Sequence, residues 1–324
     1  MIHDVLIIGA GPSGLSCAIE AQKAKLSYVV IEKGGITDAI RRFPVNMTFF
    51  STPELLEIGD LPFTITGLRP KRVECLEYYR KVVEHFDLNL QLHTTVQTIE
   101  RAANGVFTVH TDGEREYECR NLVIATGYFD NANQINIPGE EFPHVSHYYD
   151  EPYAYAGMNV VVVGGRNSAA ETVLELYRHG ANTTLVHRGE NLSDSIKYWV
   201  KPDIENRIKE ASIPAWFNTE ICEIKKGEVI LKNNISEVER TIKADFVFLL
   251  TGYRPDETLL RGIGVALDEV LIPAYNMETY ETNVEGVYIA GSVACGCETW
   301  NIFIENGRAH AKPIITDIRN KETK

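Results

Sequence analysis

Asp4-Val-Leu-Ile-Ile-Gly9-Ala-Gly11-Pro-Ser13-Gly14 and Asn159-Val-Val-Val-Val-Gly164-Gly-Arg166-Asn-Ser168-Ala169 follow one grammar. Each is a short β-branched apolar run, then a glycine turn, then a helical stretch, predicted over Leu15 to Ala24 and over Ala170 to His179. A second apolar strand follows each helix: Ser27-Tyr-Val-Val-Ile-Glu32 and Thr183-Thr-Leu-Val-His187-Arg188. Buried strand, tight glycine turn and helix together make a βαβ unit. Its recurrence, once from Gly9 and again from Gly164, predicts two dinucleotide-binding folds in one chain.

Two further apolar runs, Asn121-Leu-Val-Ile-Ala-Thr126-Gly127 and Asp245-Phe-Val-Phe-Leu-Leu-Thr251-Gly252, stop at Thr-Gly. That ending suits a central strand delivering its chain to the crevice beside a cofactor. Gly286-Val-Tyr-Ile-Ala-Gly291 is a third such strand, and a helix is predicted from about Thr299 to Arg319. No long linker or low-complexity tract interrupts this order. The second fold therefore reads as inserted into the first: 1–130 with 255–324 as one discontinuous domain, 131–254 as the other.

At 324 residues the chain can bury two separate cores. A 44% hydrophobic and 24% charged composition places it among globular domains. The first strand starts almost at Met1, leaving no room for a leader, and no apolar run approaches the roughly 20 residues that cross a bilayer. A cytoplasmic protein is expected. The formal charge of −13 argues against nucleic acid or an anionic membrane as partner. The six cysteines form no CxxC pair and lack zinc-site spacing, so neither a disulfide framework nor a metal site is expected.

Gly9-x-Gly11-x-x-Gly14 sits at the strand-to-helix turn its chemistry requires. Glycines allow close approach to a pyrophosphate, and the helix N-terminus, entered through Pro12 and Ser13, supplies partial positive charge. Glu32 ends the second strand, where a carboxylate accepts hydrogen bonds from ribose hydroxyls. The second loop is Gly164-Gly165-Arg166-Asn167-Ser168-Ala169, with Arg166 where a glycine is usual. Its following strand ends in His187-Arg188 with no carboxylate. A carboxylate there would repel a 2′-phosphate, whereas Arg188, joined by Lys197, would pair with one, so NADPH is expected over NADH.

With these residues the chain resembles the thioredoxin reductase branch of two-dinucleotide-binding flavoproteins. The resemblance implies an α/β protein of two Rossmann-like three-layer domains, the first binding FAD and the inserted one NADPH. It places FAD across Gly9 to Gly14, Glu32, Lys33, Thr126-Gly127 and Gly291-Ser292, with the chain around Phe49 and Phe50 passing along the isoalloxazine. Both phenylalanines also read as core. The match has gaps. Where thioredoxin reductases carry a redox CxxC, this chain reads His144-Val-Ser-His147-Tyr148-Tyr149-Asp150, and the usual Gly-Asp beside the flavin is Gly291-Ser292.

The chain is more similar to the bacillithiol disulfide reductases, which lack that CxxC. Ile31-Glu-Lys-Gly34, Met47-Thr-Phe-Phe50-Ser-Thr, Ile58-Gly-Asp60, Leu76-Glu-Tyr-Tyr79-Arg80 and Asn301-Ile-Phe-Ile-Glu305-Asn306-Gly307-Arg-Ala-His310 carry the similarity. It implies reduction of a low-molecular-weight disulfide, by hydride transfer from NADPH to flavin and on to the disulfide, in a homodimer. Many members have cysteine where this chain has Ser13, and a serine cannot form a mixed disulfide. Cys295 and Cys297 are the replacement candidates, on the expectation that a helix N-terminus lowers the thiol pKa there. The same two residues also read as small side chains packed in a turn. His144 and His147 invite proton transfer but equally read as structural, and the facing of Glu305 and His310 stays open. The alternatives are a ferredoxin or flavodoxin–NADP reductase, a flavin monooxygenase, and a non-enzymatic flavin sensor.

Overall fold

The computed structural model describes residues 1–113 and 115–322, so the last two positions of the expected first domain lie outside the described residues. The chain divides into two compact units: Met1–Asn131 together with the segment from Tyr253 onward, and Ala132–Gly252.

In the first unit, strand β1 (Ile2–Ile8) enters helix α1 (Pro12–Lys23), and β2 (Tyr28–Ile31) follows. The long strand β3 (Glu116–Ile124) lies parallel to β1 on its other side. Leu90–Gln91 pairs with β2, and Val287–Ile289 pairs with the C-terminal half of β3, completing a parallel sheet. The N-terminal half of β3 instead pairs with Phe107–Thr111, which continues antiparallel to Val96–Arg101.

The period-2 alternation of β1 decides the layers. Val5 and Ile7 join Leu15 and Ile19 of α1, Tyr79 and Val82 of helix Arg72–Phe86, and Ile314 and Ile318 of helix Ala311–Glu322. Leu6 and Ile8 face the other way, onto Phe107, Val109, Leu122, Ile124 and Leu260. Each fully buried aliphatic or aromatic side chain of this kind contributes about 1.5–3 kcal/mol.

The second unit repeats the plan. β4 (Asn159–Val163), α2 (Asn167–Arg178) and β5 (Asn182–Val186) form its βαβ turn, and β6 (Phe246–Leu249) lies parallel to β4. Ala215–Trp216 and Val145–Ser146 are the parallel edge strands. Val160 and Val162 pack on Val173, Leu174 and Leu176 of α2, while Val161 packs on an antiparallel meander through Ile221, Val229 and Leu231. Both units are therefore three-layer Rossmann-like folds.

Helix boundaries differ from the sequence expectation. α1 and α2 start about three residues earlier than expected, because Pro12 and Asn167 are already helical. The helix expected from Thr299 is broken: Gly291–Cys295 is a 3₁₀ turn, Ile304–Gly307 a short helix, and the long helix begins only at Ala311. Gly296 in the left-handed region (φ +53°) ends the first turn. Asn306 accepts from the Phe303 N–H at 2.8 Å and donates to the Asn301 carbonyl at 2.9 Å, capping the short helix so that it starts at Ile304 rather than at Thr299. No helix among the described residues is long and apolar enough to cross a membrane.

Candidate functional site

In the first unit the C-terminal ends of β1, β2, β3 and Val287–Ile289 converge, the edge at which an open parallel sheet takes its ligand. The three glycines there do three different jobs. Gly9 has φ +109°, and a Cβ on it would lie 2.5 Å from the Ala125 carbonyl oxygen. Gly14 permits the crossing of α1 over β1, since its Cβ would lie 1.9 Å from the Gly9 oxygen. A Cβ on Gly11 would meet no protein atom within 4 Å, so its backbone faces open space at the helix N-terminus. Pro12 occupies the first turn of α1, where its missing N–H costs nothing. Turn, close approach and helix packing are what a pyrophosphate cradle requires.

Glu32 is buried at the end of β2 and accepts from the Ala10 N–H at 2.7 Å and the Gly34 N–H at 2.8 Å. Burial raises its pKa, and these two N–H donors oppose the rise. One lone pair on each oxygen is left for ribose hydroxyls. Gly127 (φ +69°) lies beside Ser292, its Cβ position 3.4 Å from the serine Oγ, so the two turns meet as neighbours. Ser13 packs against Gly291, whose Cβ would fall 2.4 Å from Ser13 Oγ. These residues fit the expected flavin dinucleotide. Lys33 is half-exposed and pairs with Asp130 at 2.7 Å, which leaves its backbone rather than its ammonium for a cofactor.

Phe49 and Phe50 part company. Phe49 is buried and packs on Phe43 with ring centroids 6.2 Å apart, whereas Phe50 is exposed, its carbonyl accepting from Arg69 Nε at 2.7 Å. The next residue, Ser51, is buried and donates to Glu305. Sequence reasoning missed two other partnerships. Asp130 binds both Lys33 and Arg42, and Arg42 also binds Asp38 at 2.8 Å. Thr37, left-handed at φ +52°, donates its N–H to the Ala10 carbonyl at 3.0 Å. Neither had a local signal.

The second cradle has the same construction. A Cβ on Gly164 would lie 2.7 Å from the Leu250 carbonyl oxygen and 2.8 Å from Ala169 Cβ, repeating the fit of Gly9 against Ala125. Gly165 abuts the His187 ring, 2.2 Å from where its Cβ would be. Burial lowers the His187 pKa. Arg166 precedes α2 and is exposed, as are Ser168 and, just past β5, Arg188. Asn167 is committed to the loop opposite, accepting from the Lys197 N–H at 2.8 Å and donating to the Ser195 carbonyl at 3.1 Å.

Two expectations meet different surroundings. Lys197 is buried, its ammonium 2.6 Å from Glu171 and stacked 5.9 Å from the Trp199 ring, so it is no free cation for a 2′-phosphate. Burial raises the Glu171 pKa and Lys197 opposes the rise. In Lys197→Met that raised pKa climbs further. The destabilisation, about 1–3 kcal/mol, is then present at neutral pH and fades as acid protonates Glu171. Thermal unfolding at pH 8 and pH 5 measures it, and the NADPH to NADH preference stays within about twofold.

Cys295 lies at the C-terminal end of a 3₁₀ turn, not at a helix N-terminus. It is buried, its Sγ donates to the Ser292 carbonyl at 3.0 Å, and burial pushes its pKa up to about 11. Cys297 is partly exposed, its pKa also raised by burial, with Arg254 opposing. Neither is in a disulfide. The low-pKa setting expected for an attacking thiol is thus the reverse of what surrounds them. His147 pairs with Glu140 at 3.2 Å, and Glu140 accepts from the N–H groups of Ile135 and Asn136, a structural knot.

The family model described as pyridine nucleotide-disulphide oxidoreductase matches residues 6–291. The chain is 41% identical over 318 residues to bacilliredoxin reductase Bdr of Bacillus subtilis (strain 168), covering 98% of each chain. It superposes on the structure of bacillithiol disulfide reductase Bdr (YpdA) from Bacillus cereus with a TM-score of 0.96 at 39% identity, over 99% of this chain and 100% of the other. For the Staphylococcus aureus enzyme of the same name the TM-score is 0.94 at 39% identity, over 98% of each.

Proposed function

The chain belongs to the pyridine nucleotide-disulphide oxidoreductases, in their bacillithiol disulfide reductase branch, and from that premise we propose that it spends NADPH to reduce a low-molecular-weight disulfide of the bacillithiol type. The overall conversion is NADPH + H⁺ + R–S–S–R → NADP⁺ + 2 R–SH. The observation that carries it is similarity at 39–41% identity running from end to end, over a chain holding two complete nucleotide cradles. The ferredoxin-reductase and monooxygenase readings have no comparable support.

The first unit is assigned to FAD and the second to NADPH. Bound FAD supplies the two-electron chemistry that links a hydride donor to a disulfide. The protein's share is positioning. The α1 N-terminus and Gly11 receive one pyrophosphate, and Glu32 orients a ribose. The α2 N-terminus with Arg166 receives the other, and Arg188 takes the 2′-phosphate. A homodimer in the cytoplasm is part of the proposal, and sedimentation checks the stoichiometry.

No protein thiol is assigned a role. Ser13 has no sulfur, and Cys295 is held protonated by burial. Stopped-flow tests the whole proposal: NADPH bleaches the flavin, and bacillithiol disulfide restores its colour on the timescale of turnover. A bleached protein that the disulfide leaves unchanged refutes the substrate class. Cys295→Ser is expected to keep turnover within about twofold of wild type, and a hundredfold loss would return that thiol to the chemistry.

A further inference from the structure

Gly291 stands where Val287–Ile289 ends, in left-handed backbone (φ +72°), at the head of the 3₁₀ turn that carries Ser292. On one side it is pressed against the first glycine loop through Ser13. Gly307 closes on the same point: a Cβ there would lie 3.0 Å from Gly291 Cα and 3.0 Å from Ser13 Oγ. The first glycine loop and two segments of the C-terminal region therefore meet with no space for a side chain between them.

The Gly291 N–H is bound within the protein, donating to His310 Nδ1 at 3.2 Å. His310 is 5% exposed, and its ring lies on Tyr280 with centroids 4.0 Å apart and planes 19° apart. Because Nδ1 accepts, the ring proton sits on Nε2. Burial pushes the pKa down to about 4, so the acceptor persists through the working pH range. The side chain at position 292 offers a ligand a hydroxyl in place of a carboxylate, so the placing of the turn matters.

We propose that His310 is a positioning residue of the flavin site, fixing the Gly291–Ser292 turn against the Gly9–Gly14 loop through its bond to the Gly291 N–H. The inference rests on the assignment of FAD to the first unit. In it, Tyr280 sets the ring plane, Gly307 and Ser13 set the depth of the turn, and His310 sets its orientation.

Two variants separate this from a merely structural role. His310→Phe keeps the ring on Tyr280 but leaves the Gly291 N–H buried and unpaired. His310→Asn keeps an acceptor near the Nδ1 position and gives up the stack. Purified protein is stripped of flavin and titrated with FAD by fluorescence quenching, with thermal unfolding of the flavin-free forms alongside. The Phe variant binds FAD about tenfold more weakly, with an altered visible flavin band, while the Asn variant stays within about threefold of wild type. A Phe variant that binds FAD as tightly as wild type overturns the inference, and so does an Asn variant as weak as Phe. Wild-type protein that takes up no FAD overturns the flavin assignment itself, a distinguishable failure.

Discussion

Gly11→Ala purifies as a folded, colourless protein, and Gly14→Ala as a colourless protein that is also less stable. The contrast follows from where each new methyl points. Gly11 has φ −72°, which alanine adopts freely, and its Cβ would meet no protein atom within 4 Å. The methyl therefore costs the folded chain little, but it occupies the space a pyrophosphate must enter, and FAD affinity falls by about 100-fold or more. At Gly14 the Cβ would lie 1.9 Å from the Gly9 oxygen and 3.4 Å from Ala125 Cβ. Helix α1 has to back away from β1, at a cost of about 2–4 kcal/mol, and its N-terminal N–H groups move with it. The ratio of visible to ultraviolet absorbance reports the flavin, and thermal unfolding reports the chain. Undiminished FAD binding by Gly11→Ala would remove the pyrophosphate from this loop.

The second large effect is on coenzyme choice. Arg188→Glu lowers kcat/KM for NADPH by about 100-fold or more and leaves NADH within a few-fold. Arg188 is exposed just past β5, and Lys197, the other cation expected for the phosphate, is locked to Glu171. A charge-assisted pair between guanidinium and phosphate contributes about 1.5–3 kcal/mol, and reversing the charge adds repulsion to its loss. NADH has no 2′-phosphate and senses neither term. Steady-state kinetics with both coenzymes at two salt concentrations decides it, the NADPH loss shrinking as salt rises. An equal fall for both coenzymes would make Arg188 a structural residue instead.

What the sequence makes legible is local. A βαβ turn is written in about thirty contiguous residues, so both glycine loops, Glu32 at the end of β2 and Arg188 past the end of β5 can be found from spacing alone. The inserted order follows because the strand ending at Gly291 returns after the second loop has come and gone. The phenylalanine pair shows the limit of such reading: two adjacent aromatics look alike in sequence, yet Phe49 is core and Phe50 exposed.

The residues whose surroundings the sequence does not reveal share one cause. Cys295 looked activated on the strength of a helix expected to start near Thr299. That helix starts only at Ile304, where Asn306 caps it, while Gly296 closes the 3₁₀ turn that holds Cys295, and the burial that sets the thiol's pKa comes from distant packing. Lys197 looked like a surface cation because nothing near it in sequence announces Glu171, 26 positions earlier. His310 could not be paired with Gly291, because a backbone N–H leaves no mark on a sequence.

The amino-acid order by itself determined the two nucleotide folds, their nesting and the residues at the strand ends, since hydrophobic period and glycine placement act over a few residues. Tertiary structure alone decided which charges are free, which thiols stay protonated and what holds the Gly291 turn. Those properties depend on desolvation and on partners that only the packed chain brings within hydrogen-bond distance.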